Sequence, residues 1–162
     1  LAVGIGTEYV GLTSAVAGNA VVLIAVFNTL GRLGSGAAAD KVGLRTVITA
    51  LFVITIASVG ILLSAKGSRN PLLFFTALSG IAVSFGGLLA VVPTLVGSFY
   101  GAGNLGSNYG FIFIAYGLAA LVGPILKSAL IYRQMFYISI AAAIIGILLS
   151  IAMRKPQKER LP

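Results

Sequence analysis

Arg32, Asp40, Lys41 and Arg45 are the only charged residues between positions 9 and 65, and all four fall within residues 32–45. Cations at that density can hold an anion. Asp40 among them can pair with a cation or accept backbone N–H bonds at a helix end. Little else in the chain can do chemistry. It has no Cys and no His, so thiol nucleophiles, disulfides, imidazole bases and imidazole metal ligands are excluded. Its three acids, Glu8, Asp40 and Glu159, are too scattered for a carboxylate pair or a hard-metal cage. These absences argue against an enzyme, and the residues call for no cofactor and no metal.

The elements that must position the cluster are apolar. Residues 9–31 and 46–65 carry no charge, nor do residues 70–126 or 134–153. Charged residues make up 9% of the chain, against about 25% in soluble domains, which leaves too little polar surface to face water. A helix needs roughly 20 apolar residues to cross the hydrocarbon core. The spacing therefore predicts an all-α, polytopic transmembrane helical bundle with spans near 14–33, 46–65, 72–98, 107–127 and 134–153. The third is longer than one crossing needs, so part of it is expected at an interface. The pattern disfavours a β-barrel, because Val21–Ala25 and Ala141–Ile151 are apolar on every face, whereas barrel strands alternate.

A net charge of +8 in a soluble protein would point to nucleic acid. In a membrane chain it points to lipid, because basic residues collect at cytoplasmic span ends. With residues 32–45 inside, Arg32, Lys41, Arg45, Arg154, Lys155, Lys158 and Arg160 are cytoplasmic, and Lys66, Arg69, Lys127 and Arg133 are not. Residues 1–13 read as the end of a preceding span and an extracellular loop, and residues 154–162 as a basic cytoplasmic tail. The chain opens on Leu1 without a basic leader, and is expected to be the C-terminal piece of something longer or a processed product.

Gly36-x-x-x-Asp40-Lys41-x-Gly43-x-Arg45 resembles the loop motif of the major facilitator superfamily, which joins the second and third helices of each six-helix half. The upstream Asn28-x-x-Gly31-Arg32 and the four following spans resemble the C-terminal half. The resemblance implies a cytoplasmic motif loop at 32–45. There Gly36 would let a neighbouring helix lie close, and Arg32, Asp40, Lys41, Gly43 and Arg45 would lock and release one conformation. It also implies an N-terminal six-helix half, on the same or a companion chain, as partner.

Gly86-Gly87, Pro93, Tyr100-Gly101-x-x-Asn104-x-Gly106-x-Asn108-Tyr109-Gly110, Tyr116-Gly117 and Gly123-Pro124 look like the oxalate/formate antiporter family. Asn108-x-Gly110 and Gly123-Pro124 are also similar to monocarboxylate transporters. Both resemblances imply a small organic anion. Where oxalate transporters place a Lys in the fourth span, Phe111–Ala119 has no cation, which weighs against a dicarboxylate. Arg32 has two readings. It is either an end-of-span cation that snorkels or pairs with Asp40, the simpler reading, or the substrate-contacting Arg that monocarboxylate transporters place four residues after an Asp, here Asn28.

Asn19, Asn28, Tyr109 and Tyr116 place hydrogen-bonding groups on spans expected to face a substrate cavity, though each also fits an interhelical hydrogen bond. Gly86, Gly87, Pro93, Gly117, Gly123 and Pro124 fit flexing helices as well as passive tight packing. The sequence thus reads as half of a secondary transporter for a small solute. The alternative is a small membrane interaction protein without transport of its own.

Overall fold

The computed structural model describes residues 1–101, 103 and 105–153, and among them every element is helical. Five helices are long and apolar enough to cross a bilayer: α1 Ser14–Val42, α2 Leu44–Ser64, α3 Pro71–Tyr100, α4 Leu105–Ala129 and α5 Tyr132–Ala152. At 1.5 Å per residue even the 21-residue α2 reaches about 30 Å, the thickness of the hydrocarbon core. Connections of a few residues turn each helix back on its predecessor. One end of the bundle therefore gathers residues 42–44, the close of α3 at Tyr100, the start of α4 at Leu105 and the close of α5 (the motif end). The other gathers Glu8, the 65–70 turn and the start of α5 (the Glu8 end).

Local chemistry sets the boundaries. The Thr13 hydroxyl accepts from the Val16 N–H at 3.5 Å to open α1, which carries one turn residue at Asn19. The Asn70 side chain accepts from Leu72 N–H at 2.9 Å to open α3, with Pro71 at the first helical position, where no N–H is missed. Gly43 separates α1 from α2 at φ +88°, a conformation side chains with a Cβ avoid.

Three segments differ from the sequence expectation. The motif is not a loop over 32–45: α1 runs on through Arg32, Gly36, Asp40 and Lys41 to Val42, and only Gly43 breaks the chain. Nothing before Gly43 stops a helix, and Ala37–Lys41 favours one. Residues 2–10 are helical rather than looped, an α turn over Ala2–Gly4 followed by a wider π turn over Ile5–Val10. They are tied down where Gly67 and Arg69 N–H groups donate to the Tyr9 and Val10 carbonyls at 2.9 and 3.0 Å. The third span is one unbroken helix that carries Pro93 inside it and runs to Tyr100, two residues past the expected 98, and the fourth begins at Leu105 rather than 107. The expected basic tail, 154–162, lies outside the described residues.

Two apolar clusters stabilise the ends of the bundle. Leu62 and Phe74 centre one at the Glu8 end, and Val47, Ile48, Leu51 and Val91 form the other at the motif end. Between them α1 and α3 cross through small residues. A Cβ on Gly31 would strike the Val83 backbone, one on Gly86 the Asn28 carbonyl, and one on Gly87 the Ser35 hydroxyl. Lipid gives no hydrophobic drive for helix association, so such backbone approach is how helices gain contact in a membrane. The ring of Phe52 on α2 closes over Gly146 of α5 in the same way. By contrast, α4 buries no residue, and Phe111, Leu121 and Ile125 are mostly exposed.

Candidate functional site

Asn28 is the midpoint of α1, and Arg32 follows one turn later on the same face. The Arg32 Nε–H donates to Asn28 Oδ1 at 3.1 Å. Among the described residues neither terminal nitrogen of the guanidinium has a hydrogen-bond partner, which leaves a planar fork that matches a carboxylate. Ten residues separate Arg32 from Val42, about 15 Å along the axis. The Asn28 bond turns the guanidinium toward the middle of the span, opposite to the direction an arginine takes when it snorkels toward the motif end. Arg32 does not pair with Asp40. Among the described residues the ion pair present is Lys127 Nζ to Glu8 Oε1, at 3.8 Å.

One turn of α3 joins this pair to α4. Gly86 rests on the Asn28 carbonyl, and its neighbour Phe85 stacks on Tyr116 at 5.9 Å with 25° between the rings. The aromatic run continues down α4 from Tyr116 to Phe113 at 5.2 Å and to Tyr109 at 5.4 Å. The fold thus brings Asn28, Arg32 and Tyr116 to the flanks of one α3 turn, with Tyr109 at the far end of the run. Asn19 stands apart, in the exposed turn two helical turns or more before Asn28.

The motif residues do other work. Gly36 has nothing within 4 Å of the position a Cβ would take, so the close approach expected there is made by Gly31 instead. Asp40 and Lys41 are exposed on the last turn of α1. Arg45 Nη2 donates to the Ile151 carbonyl, placing a cation on the last turn of α5, where free carbonyls and the helix dipole favour it. One turn inward, the Thr49 and Ser150 hydroxyls share a hydrogen bond at 2.7 Å. Of the residues expected to flex, Gly86 and Gly87 sit in tight crossings, Gly117 and Gly123 face open space, and Pro93 and Pro124 lie inside α3 and α4.

The polar cluster at the Glu8 end was not legible in the sequence, because its members are 124 residues apart. The Tyr132 hydroxyl donates to Glu8 Oε2 at 2.9 Å, and Lys127 Nζ lies 5.7 Å from the centre of the Tyr132 ring. Beside it the Tyr9 hydroxyl donates to the Leu63 carbonyl at 3.2 Å, and burial pushes the Tyr9 phenol up from its ordinary pKa. The Gly31–Ser35 face of α1 did carry a readable signal: Asn28, Gly31 and Ser35 recur at the spacing of one helix stripe.

Relatives place the arrangement in a family. Residues 2–162 match the model of the Major Facilitator Superfamily. The chain is 39% identical over 105 residues to the uncharacterized MFS-type transporter YhjX of Escherichia coli (strain K12), covering 65% of this chain and 26% of that protein. It is 34% identical over 125 residues to an MFS-type transporter of Gibberella moniliformis, covering 76% of this chain and 29% of that protein. The chain therefore spans little more than a quarter of the length of these relatives. With a match over nearly all its residues and five helices of bilayer length, this chain is an integral membrane protein that belongs to the Major Facilitator Superfamily.

Proposed function

We propose that the chain is the C-terminal half of a secondary transporter that moves a small organic anion, a monocarboxylate foremost, by alternating access. The observation that carries this reading is the Asn28–Arg32 pair. A cation near the middle of a span costs about 2.5–3.5 kcal/mol on insertion scales. A purely structural arginine would lower that cost by pairing with an acid, and among the described residues Arg32 is paired with a neutral amide, Asn28, instead. Its free fork suits one carboxylate, and α4 supplies the aromatic Tyr116 rather than a second cation. The N-terminal six-helix half, on the same or a companion chain, supplies the opposite wall by covering the outer face of α1 and the unburied α4. Transporters of this general design hold their substrate at such an interface, near the bilayer midplane. The distribution of Lys and Arg supports a cytoplasmic side for the motif end and the tail.

Uptake by the complete transporter in proteoliposomes tests the reading, with formate, lactate, oxalate and neutral solutes compared. Arg32→Gln is expected to abolish anion uptake while the protein still folds, and Arg32→Lys to retain part of it. Undiminished uptake by Arg32→Gln would sink the proposal, as would uptake by the isolated 162-residue chain. Orientation is tested separately. The chain has no Cys, so labelling of Val42→Cys reports the side of the motif end directly.

A further inference from the structure

A cavity of about 990 Å³, away from Arg32, opens at the motif end between the first half of α2 and the last turns of α3. Its lining has one ionisable side chain, Arg45, and no acid. From Arg45 the wall runs along Ala50, Val53 and Ile54 of α2, faced by Leu95 and Phe99 of α3. That trough is about 13 Å long at 1.5 Å per residue.

We propose that this cavity seats an anionic phospholipid, its phosphate on Arg45 and an acyl chain along Ala50, Val53 and Ile54. Three features select that occupant over the transported solute or a peptide. The site lies at the ends of the spans, where headgroups lie. Among the described residues its charge is purely cationic: Arg45 spends one N–H on the Ile151 carbonyl and has others for an anion, with the Thr46 hydroxyl also on the lining. Its remaining surface is elongated and mainly apolar, with the Thr49 and Ser98 hydroxyls already donated to their own helix carbonyls, which suits methylenes and wastes a small polar anion. Val53 and Phe99 are about half exposed, so a chain can enter from the side. More cations adjoin in sequence: Lys41 precedes the lining Val42, and Arg154-Lys155 follow the lining Met153. Basic pockets between helices on a cytoplasmic face recognise lipid phosphates by this chemistry. The proposal rests on the motif end lying at the membrane surface and is independent of what is transported.

Native mass spectrometry of the full protein in detergent tests it, with phosphatidylglycerol and phosphatidylcholine of identical acyl chains added in parallel. The wild type is expected to retain one phosphatidylglycerol per chain at concentrations at least tenfold below those needed for phosphatidylcholine. Arg45→Ala is expected to bring the two lipids to equality, and Arg45→Lys to keep most of the preference. Ala50→Phe, which fills the trough without touching charge, is expected to weaken both lipids. Equal binding of the two lipids by the wild type overturns the proposal. So does a preference that survives Arg45→Ala but vanishes when residues 154–162 are removed, because the selecting charge would then reside in the tail.

Discussion

Gly86 of α3 lies so close to the backbone carbonyl of Asn28 on α1 that a single methyl group has no room between them. The approach fixes the height at which α3 crosses α1, and with it the setting of the Asn28 side chain that holds Arg32. Packing and site are here one feature, since the residue whose carbonyl makes the crossing also orients the cation.

Gly86→Ala should therefore be costly. The obstacle is backbone, which cannot rotate away as a side chain can, and overpacking of this kind costs about 1–3 kcal/mol. The expected outcome is a lower unfolding temperature in detergent, read by circular dichroism. Gly36→Ala, in open space, should leave the unfolding temperature unchanged or slightly raised, because alanine favours helix.

The Thr49–Ser150 bond ties α2 to α5 just inside the Arg45 clasp. Interhelical hydrogen bonds in membranes average about 0.6 kcal/mol in double-mutant cycles. Thr49→Val, Ser150→Ala and the double variant should show a coupling of that order by thermal unfolding. A coupling near zero would mean that each hydroxyl gives its one proton to its own helix, Thr49 to the Arg45 carbonyl and Ser150 to the Ile147 carbonyl, rather than to the other.

Much of this architecture was legible in the sequence, and the reason it was not all legible is physical. Charge-free runs report where a chain can meet hydrocarbon, so the five spans follow from them. They do not report where a helix stops, which depends on local chemistry. Hence α1 passes ten residues beyond Arg32 until Gly43 ends it. Motif spacing located the cluster at 32–45 but not its partners. That Arg45 reaches Ile151, and Glu8 reaches Tyr132, depends on how α5 folds back across more than a hundred residues of chain. The close approach expected of Gly36 falls to Gly31, because the glycine that matters is the one whose helix stripe faces α3.

Tyr9 supplies a pH prediction. Burial raises its pKa from the ordinary value near 10, partly offset by the nearby charge of Arg133. A phenol whose folded pKa lies above its unfolded one binds its proton more tightly in the native state. Its contribution to stability is complete below pH 10 or so and is lost as pH rises through the folded value. Thermal unfolding should thus show an alkaline decline beginning near pH 10 that is shallower in Tyr9→Phe. A Tyr9→Phe profile parallel to the wild type would assign that decline to other groups.

The Asn28–Arg32 pair makes the sharpest prediction about transport. Asn28 is neutral, so it orients the guanidinium without cancelling its charge, and the full cation remains for a substrate carboxylate. Asn28→Asp would place an acid about 3 Å from Arg32 and satisfy the fork internally. An incoming carboxylate would then have to displace a resident one in a site of low dielectric, where the pair attracts strongly. Anion uptake by the Asn28→Asp transporter should fall at neutral pH and recover as acidification protonates the introduced carboxylate. Asn28→Ala keeps the charge but loses its orientation, so it should raise KM more than it lowers the maximal rate. Neither substitution touches the backbone carbonyl on which Gly86 rests, so both variants should remain folded. If Asn28→Asp transported at the wild-type rate with an unchanged pH profile, Arg32 would not be the group that receives the anion.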